Sequence, residues 1–396
     1  MRSSGAAVTQ PPLRHRDGHH ARVTFEELFF DLVYVFAVTQ VSHGLLHHLT
    51  GVGAVEALIL WFAVWLGWQY TCWATNWFDP ETPAIRGLLF ATMLAGLLMA
   101  AALPQAFGER GLLFALAYAA MQVGRTAFLV WQLGPGHPLS ANYRRMLGWV
   151  SIAALFWIAG GLAPAPWRHL PWIVAVLCEY VSPMFGFALP GMGRSETRDW
   201  TIEGGHLAER CQLFVIVALG ETVLVTGATL SAEAQWDAPG LIAFLTTFLG
   251  SLAMWWVYFG TSSKDGSAAI TRSADPGRMG AYFHYVHAIL IAGIIVTAVG
   301  NDLVIAHPDG HMTVAAAATL IGGPALYLLG GALYKRVVYG AWPASHLAGI
   351  AALAALLPFA FATDLLMIGG LTTLVMLGVA LWETRRARRG TPAPAH

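Results

Sequence analysis

Glu27 and Asp31 stand four residues apart inside an apolar run, with Tyr34 and Val38 at the next similar intervals. On a helix that spacing puts both carboxylates on one face. Arg125, Glu179, His206, Glu209, Arg210, Glu221, His284 and His287 are set in apolar runs as well. Ionisable side chains in hydrocarbon are unfavourable unless paired or hydrated, so each asks for a chemical reason. Histidine beside carboxylate is the combination of a proton relay. His206-x-x-Glu209 and His284-x-x-His287 are also helical i, i+3 pairs. With Glu27, Asp31 or Glu179 they offer enough nitrogen and oxygen ligands for zinc or a non-haem metal, which would point to an intramembrane hydrolase or oxidase. The plainest alternative pairs Glu27 and Asp31 with Arg125 and Arg210 and fixes helix register without chemistry.

The elements that position these residues follow from composition. Of 396 residues, 57% are hydrophobic and 11% charged, with Trp at 16 positions and a mean hydropathy of +0.58. A soluble domain carries about a quarter charged residues. The chain therefore lacks the polar coat of a cytosolic enzyme or a disordered segment, and its 22 basic and 22 acidic side chains cancel, which excludes a basic nucleic-acid binder. Cys72, Cys178 and Cys211 lie in apolar stretches without Cys-x-x-Cys spacing, as inert buried thiols do. No Gly-x-x-x-x-Gly-Lys loop is present, so direct use of ATP is not expected.

A bilayer core about 30 Å thick takes roughly 20 apolar residues per helix. Twelve runs of that kind fall near 24–46, 52–75, 86–107, 110–133, 143–163, 170–190, 205–230, 239–260, 280–301, 313–334, 343–361 and 363–383. Arg2, Arg14, Arg16 and Arg22 precede the first run without an apolar core of their own, so the first span is expected to double as the insertion signal. Placing the N-terminus in the cytoplasm tests the count by the positive-inside rule. The inner connections then carry Arg86, Arg144, Arg145, Arg194, Arg198, Lys264, Arg272, Arg278, Lys335 and Arg336, and the C-terminal tail adds Arg385, Arg386, Arg388 and Arg389. Only Arg110 and Arg168 fall outside, and Arg125 and Arg210 lie within spans. The arginine-rich tail reads as an orientation signal and a contact for anionic lipid.

At about 1.5 Å per residue, Glu27, Asp31, Glu209, Arg210, His284 and His287 sit in the cytoplasmic half of the membrane. Arg125 and Glu179, counted back from the far ends of their spans, reach a similar level. One polar cluster, entered from the cytoplasm, is expected. Its carboxylates Glu27, Asp31, Glu179 and Glu209 outnumber Arg125 and Arg210, and such an excess must bind protons, a cation or a cationic ligand. Glu221 lies deeper, where Gln40 or His43 of the first span would meet it if spans one and seven pack together. Trp61, Trp65, Trp68, Trp73 and Trp77 read as packing and interfacial anchors. Glu26, His19, His20, His47 and His48, at or outside span ends, receive no role.

The same residues carry a family resemblance. Glu27-Leu-Phe-Phe-Asp31-Leu-Val-Tyr-Val-Phe, with Gln40 and His43 following, resembles the opening motif of the bacterial low temperature requirement A (LtrA) membrane proteins. Arg194-Ser195, Asp199-Trp200, His206-Leu-Ala-Glu209-Arg210 and Leu219-Gly220-Glu221-Thr222 are similar to that family's second motif. Tyr285 and His287, with Ala292-Gly293-Ile294 and Ala298-Val299-Gly300, resemble its third, although Ala288 stands where the family commonly has Leu-Pro. The similarity runs over roughly residues 20–385. It implies a polytopic protein of the bacterial inner membrane in which Glu27, Asp31, His206, Glu209, Arg210 and Glu221 matter. The family name records growth in the cold and assigns no substrate, cofactor or reaction.

The expected fold is all-α: a polytopic transmembrane helical bundle of about twelve spans, both termini cytoplasmic. Its parts are a cytoplasmic tail (1–23), a first six-helix half (24–190), a cytoplasmic linker (191–204), a second half (205–384) and a cytoplasmic tail (385–396). Glu27-Leu28-Phe29 through Val41 echoes Glu209-Arg210-Cys211 through Val223, and Trp68-x-Tyr70 echoes Trp256-x-Tyr258. Two parallel repeats and chance likeness between apolar helices account for this echo equally. The leading functional expectation is a proton-coupled carrier. Asp31 and Glu221 titrate, Glu27, His206 and Glu209 form the relay, and Arg125 and Arg210 tune them. A metalloenzyme using His206, Glu209, His284 and His287 is the alternative, and a structural or sensory membrane protein the third. The partners expected are the lipid bilayer and a small molecule or ion, and no nucleic acid. Cofactor and oligomeric state are left open.

Overall fold

Thr24 starts the first helix. Its hydroxyl accepts the Glu27 N–H at 3.4 Å while the Glu27 carboxylate accepts the Thr24 N–H at 2.9 Å, a reciprocal cap that satisfies two donors of the first turn. The computed structural model describes residues 11–16, 21–232, 237–260 and 265–388. Arg2, His19, His20, Lys264 and Arg389, and the outer parts of both tails, lie outside the described residues. The first set of helices is α1 (Phe25–His47), α2 (Gly51–Trp77), α3 (Pro83–Ala102), α4 (Gly111–Leu133), α5 (Ser140–Leu162) and α6 (His169–Val181). The second set is α7 (Gly204–Ala232), α8 (Ala238–Phe259), α9 (Asp265–Arg272), α10 (Pro276–Ala306), α11 (Val314–Leu320), α12 (Gly322–Tyr339), α13 (Ala344–Ala360) and α14 (Leu365–Arg388). The described residues form no β-strand, only isolated bridges.

Among the described residues, ten helical segments are long and apolar enough to cross a membrane, with α11 and α12 counted as one. The other two expected runs are also helical but shorter. The run at 170–190 gives α6, which stops at Val181 because Pro183 lacks an N–H. It continues as a 3-10 turn over Ser182–Phe185, and Gly186, at φ +63°, folds the chain back on Ser195. The run at 343–361 gives α13, 17 residues with Pro358 inside it. The short α9 was not anticipated.

Leu94 and Leu97 of α3 and Leu241, Leu245 and Leu252 of α8 are exposed, while Glu27, Asp31, His206, Arg210, Glu221, His284 and His287 are all buried. This inside-out distribution is what hydrocarbon as solvent demands. α10 lies at the centre, pressed onto α12 by small residues. A methyl on Gly293 would stand 2.3 Å from the Tyr327 nitrogen, and one on Gly330 2.5 Å from the Leu290 Cα. Among its neighbours, α1 packs on α2 and α3, α3 on α4, α4 on α5, α5 on α6, and α2 on α6. Likewise α7 packs on α8 and α10, α10 on α12, α12 on α13, α13 on α14, and α8 on α14. The two groups meet where α1 and α2 touch α7 and α10.

Candidate functional site

Glu27 is the hub of the end where α1 begins. The cap that starts α1 holds its carboxylate inward, where Oε1 lies 2.8 Å from His206 Nε2 and 3.7 Å from Arg210 Nη1, and all three side chains are fully buried. Asn76, near the end of α2, decides the state of His206. The Asn76 amide donates to the Glu203 carbonyl at 2.9 Å and its oxygen accepts the Glu203 N–H at 2.8 Å, which fixes its orientation. Nδ2 therefore points its second hydrogen at His206 Nδ1, 3.1 Å away. An imidazole whose Nδ1 accepts carries its proton on Nε2 and donates it to Glu27.

One turn along α1, Asp31 Oδ1 accepts from Arg210 Nη2 at 2.7 Å and from the Trp68 indole N–H at 2.8 Å. The Arg210 guanidinium lies between the Phe30 ring, 6.0 Å from its centroid, and the Trp68 ring, at 5.8 Å. Asp31 Oδ2, Arg210 Nε and Nη1, the Trp65 indole nitrogen and His284 Nε2 are buried without hydrogen-bond partners. His284 Nδ1 lies 3.2 Å from the Trp73 indole nitrogen and 3.1 Å from the Gly280 carbonyl oxygen. The His284 ring centroid stands 5.8 Å from that of Trp68 and 6.2 Å from that of Trp65. Unspent polar capacity thus gathers around Trp68.

Arg125 and Glu179 do not join this group. Arg125 donates to the Gly67 carbonyl at 3.2 Å, to the Thr71 hydroxyl at 2.9 Å and to Gln122. Glu179 accepts from Tyr118 at 2.9 Å and Trp157 at 3.3 Å. Gln122 links the two by donating to Tyr118 at 3.0 Å. The single cluster expected at this level is therefore two separate networks, because Arg125 reaches across to the Gly67 carbonyl and Thr71 of α2 instead of to a carboxylate of α1. Position along a helix says nothing of azimuth.

Glu221 packs against α1, where the Thr39 hydroxyl donates to Oε2 and Ser42 and His43 lie close enough to act on the same carboxylate. Gln40 turns instead into a 240 Å³ pocket at the far end of the bundle, with His48, Glu56 and Gln105, and His43 is exposed on the turn beyond Thr39. Val23 N–H donates to Glu209 at 3.4 Å. His287 lies apart: its Nδ1 faces the Phe283 carbonyl at 2.6 Å and its Nε2 the Tyr258 hydroxyl at 2.7 Å. His206, Glu209, His284 and His287 each answer to different neighbours. Among the described residues no group of three or more His, Cys, Asp or Glu is placed to hold a metal ion, so the four ligands of the metal alternative are not brought together.

Two features escaped sequence reasoning. Arg14 enters from the N-terminal segment, 2.8 Å from Glu27 Oε2 and 3.4 Å from His206 Nε2. In the second group of helices, Lys335 of α12 pairs with Glu383 of α14, which also accepts from Ser345, and His346 lies 3.8 Å from the same carboxylate. Both escaped because their charges sit near span ends, where solvation is the ordinary fate.

The family model described as bacterial low temperature requirement A protein (LtrA) matches residues 22–381. A curated protein of Rhizobium meliloti (strain 1021), described as uncharacterized, is 40% identical over 379 residues, covering 94% of this chain and 91% of the relative. No solved structure matches the chain.

Proposed function

The chain belongs to the bacterial low temperature requirement A family, and from that premise we propose that it is a proton-coupled carrier of the bacterial inner membrane with both termini cytoplasmic. One observation carries the reading: two carboxylate stations lie on the same helix pair, α1 and α7, at different depths. Asp31 and Arg210 form one, and Glu221 with Thr39 forms the other. Eight residues of α1 separate Asp31 from Thr39, about 12 Å of rise. Tyr34, Trp65, Trp68 and Phe214 fill the space beside the first station, with ring centroids 4.5–6.3 Å apart. A proton does not cross such a distance through aromatic packing, so passage requires the helices to move.

α1 opens the first six-helix group and α7 the second, so both stations lie on the seam. Rocking of one group against the other would open the seam at alternate ends, exposing Glu27 and Asp31 to one side and Glu221 to the other. The repeated neighbour pattern of the two groups supports treating them as parallel halves. The basic residues Arg86, Arg144, Arg145, Arg194, Arg198, Arg272 and Arg278 share an end with the start of α1, which supports the cytoplasmic assignment of that end.

The test is proton flux in reconstituted liposomes under an imposed pH gradient. Asp31→Asn and Glu221→Gln should each abolish flux in protein that elutes as a folded species. Unchanged flux in both variants refutes the relay. Parallel loss of flux and thermal stability in Asp31→Asn would instead favour an Asp31–Arg210 clamp of purely structural value.

A further inference from the structure

The segment before α1 lies along the end of α2. Arg14 N–H donates to the Trp77 carbonyl at 2.8 Å and Asp79 N–H to the Pro12 carbonyl at 2.9 Å. Arg14 Nε donates to the Thr75 carbonyl at 2.6 Å, and Arg16 reaches the Asn76 side chain and, at 2.8 Å, the Thr201 carbonyl. The Thr75 and Trp77 carbonyls belong to the last turn of α2, where no intrahelical partner exists, and Thr201 lies in the loop before α7. The strap therefore spans the seam between the two groups of helices, and it places one guanidinium on the carboxylate of Glu27.

That guanidinium sits among three acceptors, Glu27 Oε2 at 2.8 Å, the Thr75 carbonyl at 2.6 Å and the Arg22 carbonyl at 3.4 Å, with His206 Nε2 3.4 Å from its Nη2. Two of these acceptors are held by something other than Arg14. The N-terminal cap of α1 anchors Glu27, and the end of α2 presents Thr75. Without Arg14, Glu27 and Asp31 would share the one positive charge of Arg210, with the neutral His206 donating to Glu27, leaving one buried negative charge uncompensated. Such a site demands a cation, and its planar fork of acceptors matches a guanidinium better than a compact ammonium.

We propose that the Glu27–Thr75–Arg22 ring is a binding site for guanidinium cations, and that Arg14 is its tethered occupant. The strap then acts as a plug that a soluble guanidinium ligand displaces. This deepens the carrier reading by naming its ligand class and rests on that reading for its physiological meaning, while binding itself is measurable without transport.

Full-length Arg14→Ala is purified in detergent and its thermal unfolding followed against methylguanidinium, with urea as the uncharged shape control and ethylammonium as the charge control. The variant should melt below the parent protein and regain the lost Tm saturably with methylguanidinium, less with ethylammonium and not with urea. The parent protein, its ring already filled, should shift far less at the same concentration. Glu27→Gln on the Arg14→Ala background should abolish the response. Arg14→Gln, which keeps a hydrogen bond to Thr75 without the charge, repeats the test if Arg14→Ala does not fold. A linear response, an equal response in the parent protein, or a response that survives Glu27→Gln overturns the proposal, as does failure of both Arg14 variants to fold, which would make Arg14 purely architectural. Saturable binding with no proton flux would keep the site and discard the carrier.

Discussion

Trp68 holds the Asp31 station together in two ways, by its indole N–H on Oδ1 and by its ring beneath the Arg210 guanidinium. Trp65, its neighbour one turn away, has an indole nitrogen with no partner. The pair separates hydrogen bonding from volume. Trp68→Phe is expected to lower stability by about 1–3 kcal/mol more than Trp65→Phe, because it strips a donor from a buried carboxylate, and thermal unfolding in detergent measures the difference. Equal effects would mean that only ring volume matters. At this scale Glu27, Asp31, His206, Arg210 and Glu221 were legible from the sequence, because a charge within an apolar run declares itself. Asn76, Trp68 and Arg14 were not. An amide, an indole and a tail arginine are ordinary residues until packing brings them within hydrogen-bonding distance of a carboxylate or an imidazole.

Helix ends and helix contacts carry the next tests. Asp275 caps α10, accepting the Arg278 N–H at 3.0 Å and the Thr197 hydroxyl. Burial pulls its carboxyl upward, but these bonds and the charges of Arg278 and Arg198 hold it below the ordinary value. A depressed carboxyl contributes stability above its unfolded pKa and loses it as pH falls through the folded value. Asp275→Asn keeps the cap without the charge, so its Tm deficit should be present near neutrality and close on acidification. A gap independent of pH would deny the charge any part. The α10–α12 contact is tested by Gly330→Val, which would drive a side chain into the Leu290 backbone. It is expected to cost about 1–3 kcal/mol or prevent folding, read as folded yield on size exclusion, whereas Gly370→Ala, with nothing within 4 Å, should be near neutral. The long helices were legible from their apolar runs. The early stop of α6 and the appearance of α9 were not, since each depends on how a polar loop settles against its neighbours.

For the molecule as a whole, the decisive question is parity. If α6 and α13 both complete their crossings, the two termini face the same side. Epitope tags at either end should then be inaccessible in spheroplasts and accessible after permeabilisation. One exposed tag would mean an odd number of crossings and would invert the orientation of one group of helices relative to the other. It would also undo alternating access at the seam, because Asp31 and Glu221 could no longer open to opposite sides by rocking of parallel halves.

Composition by itself determined the solvent: 57% hydrophobic and 11% charged residues leave helices in a bilayer as the arrangement that satisfies every backbone group. Spacing and rise along each helix determined where each buried charge stands along its own helix. Azimuth belonged to the tertiary structure alone. The faces that α2 and α7 turn toward α1 sent Arg210 to Asp31 and left Arg125 with backbone and amide partners. The same packing brought a tail arginine to Glu27 and scattered four potential metal ligands among separate neighbours. Periodicity is a property of one helix, and which of its faces meets another is decided only when all of them compete for the same interior.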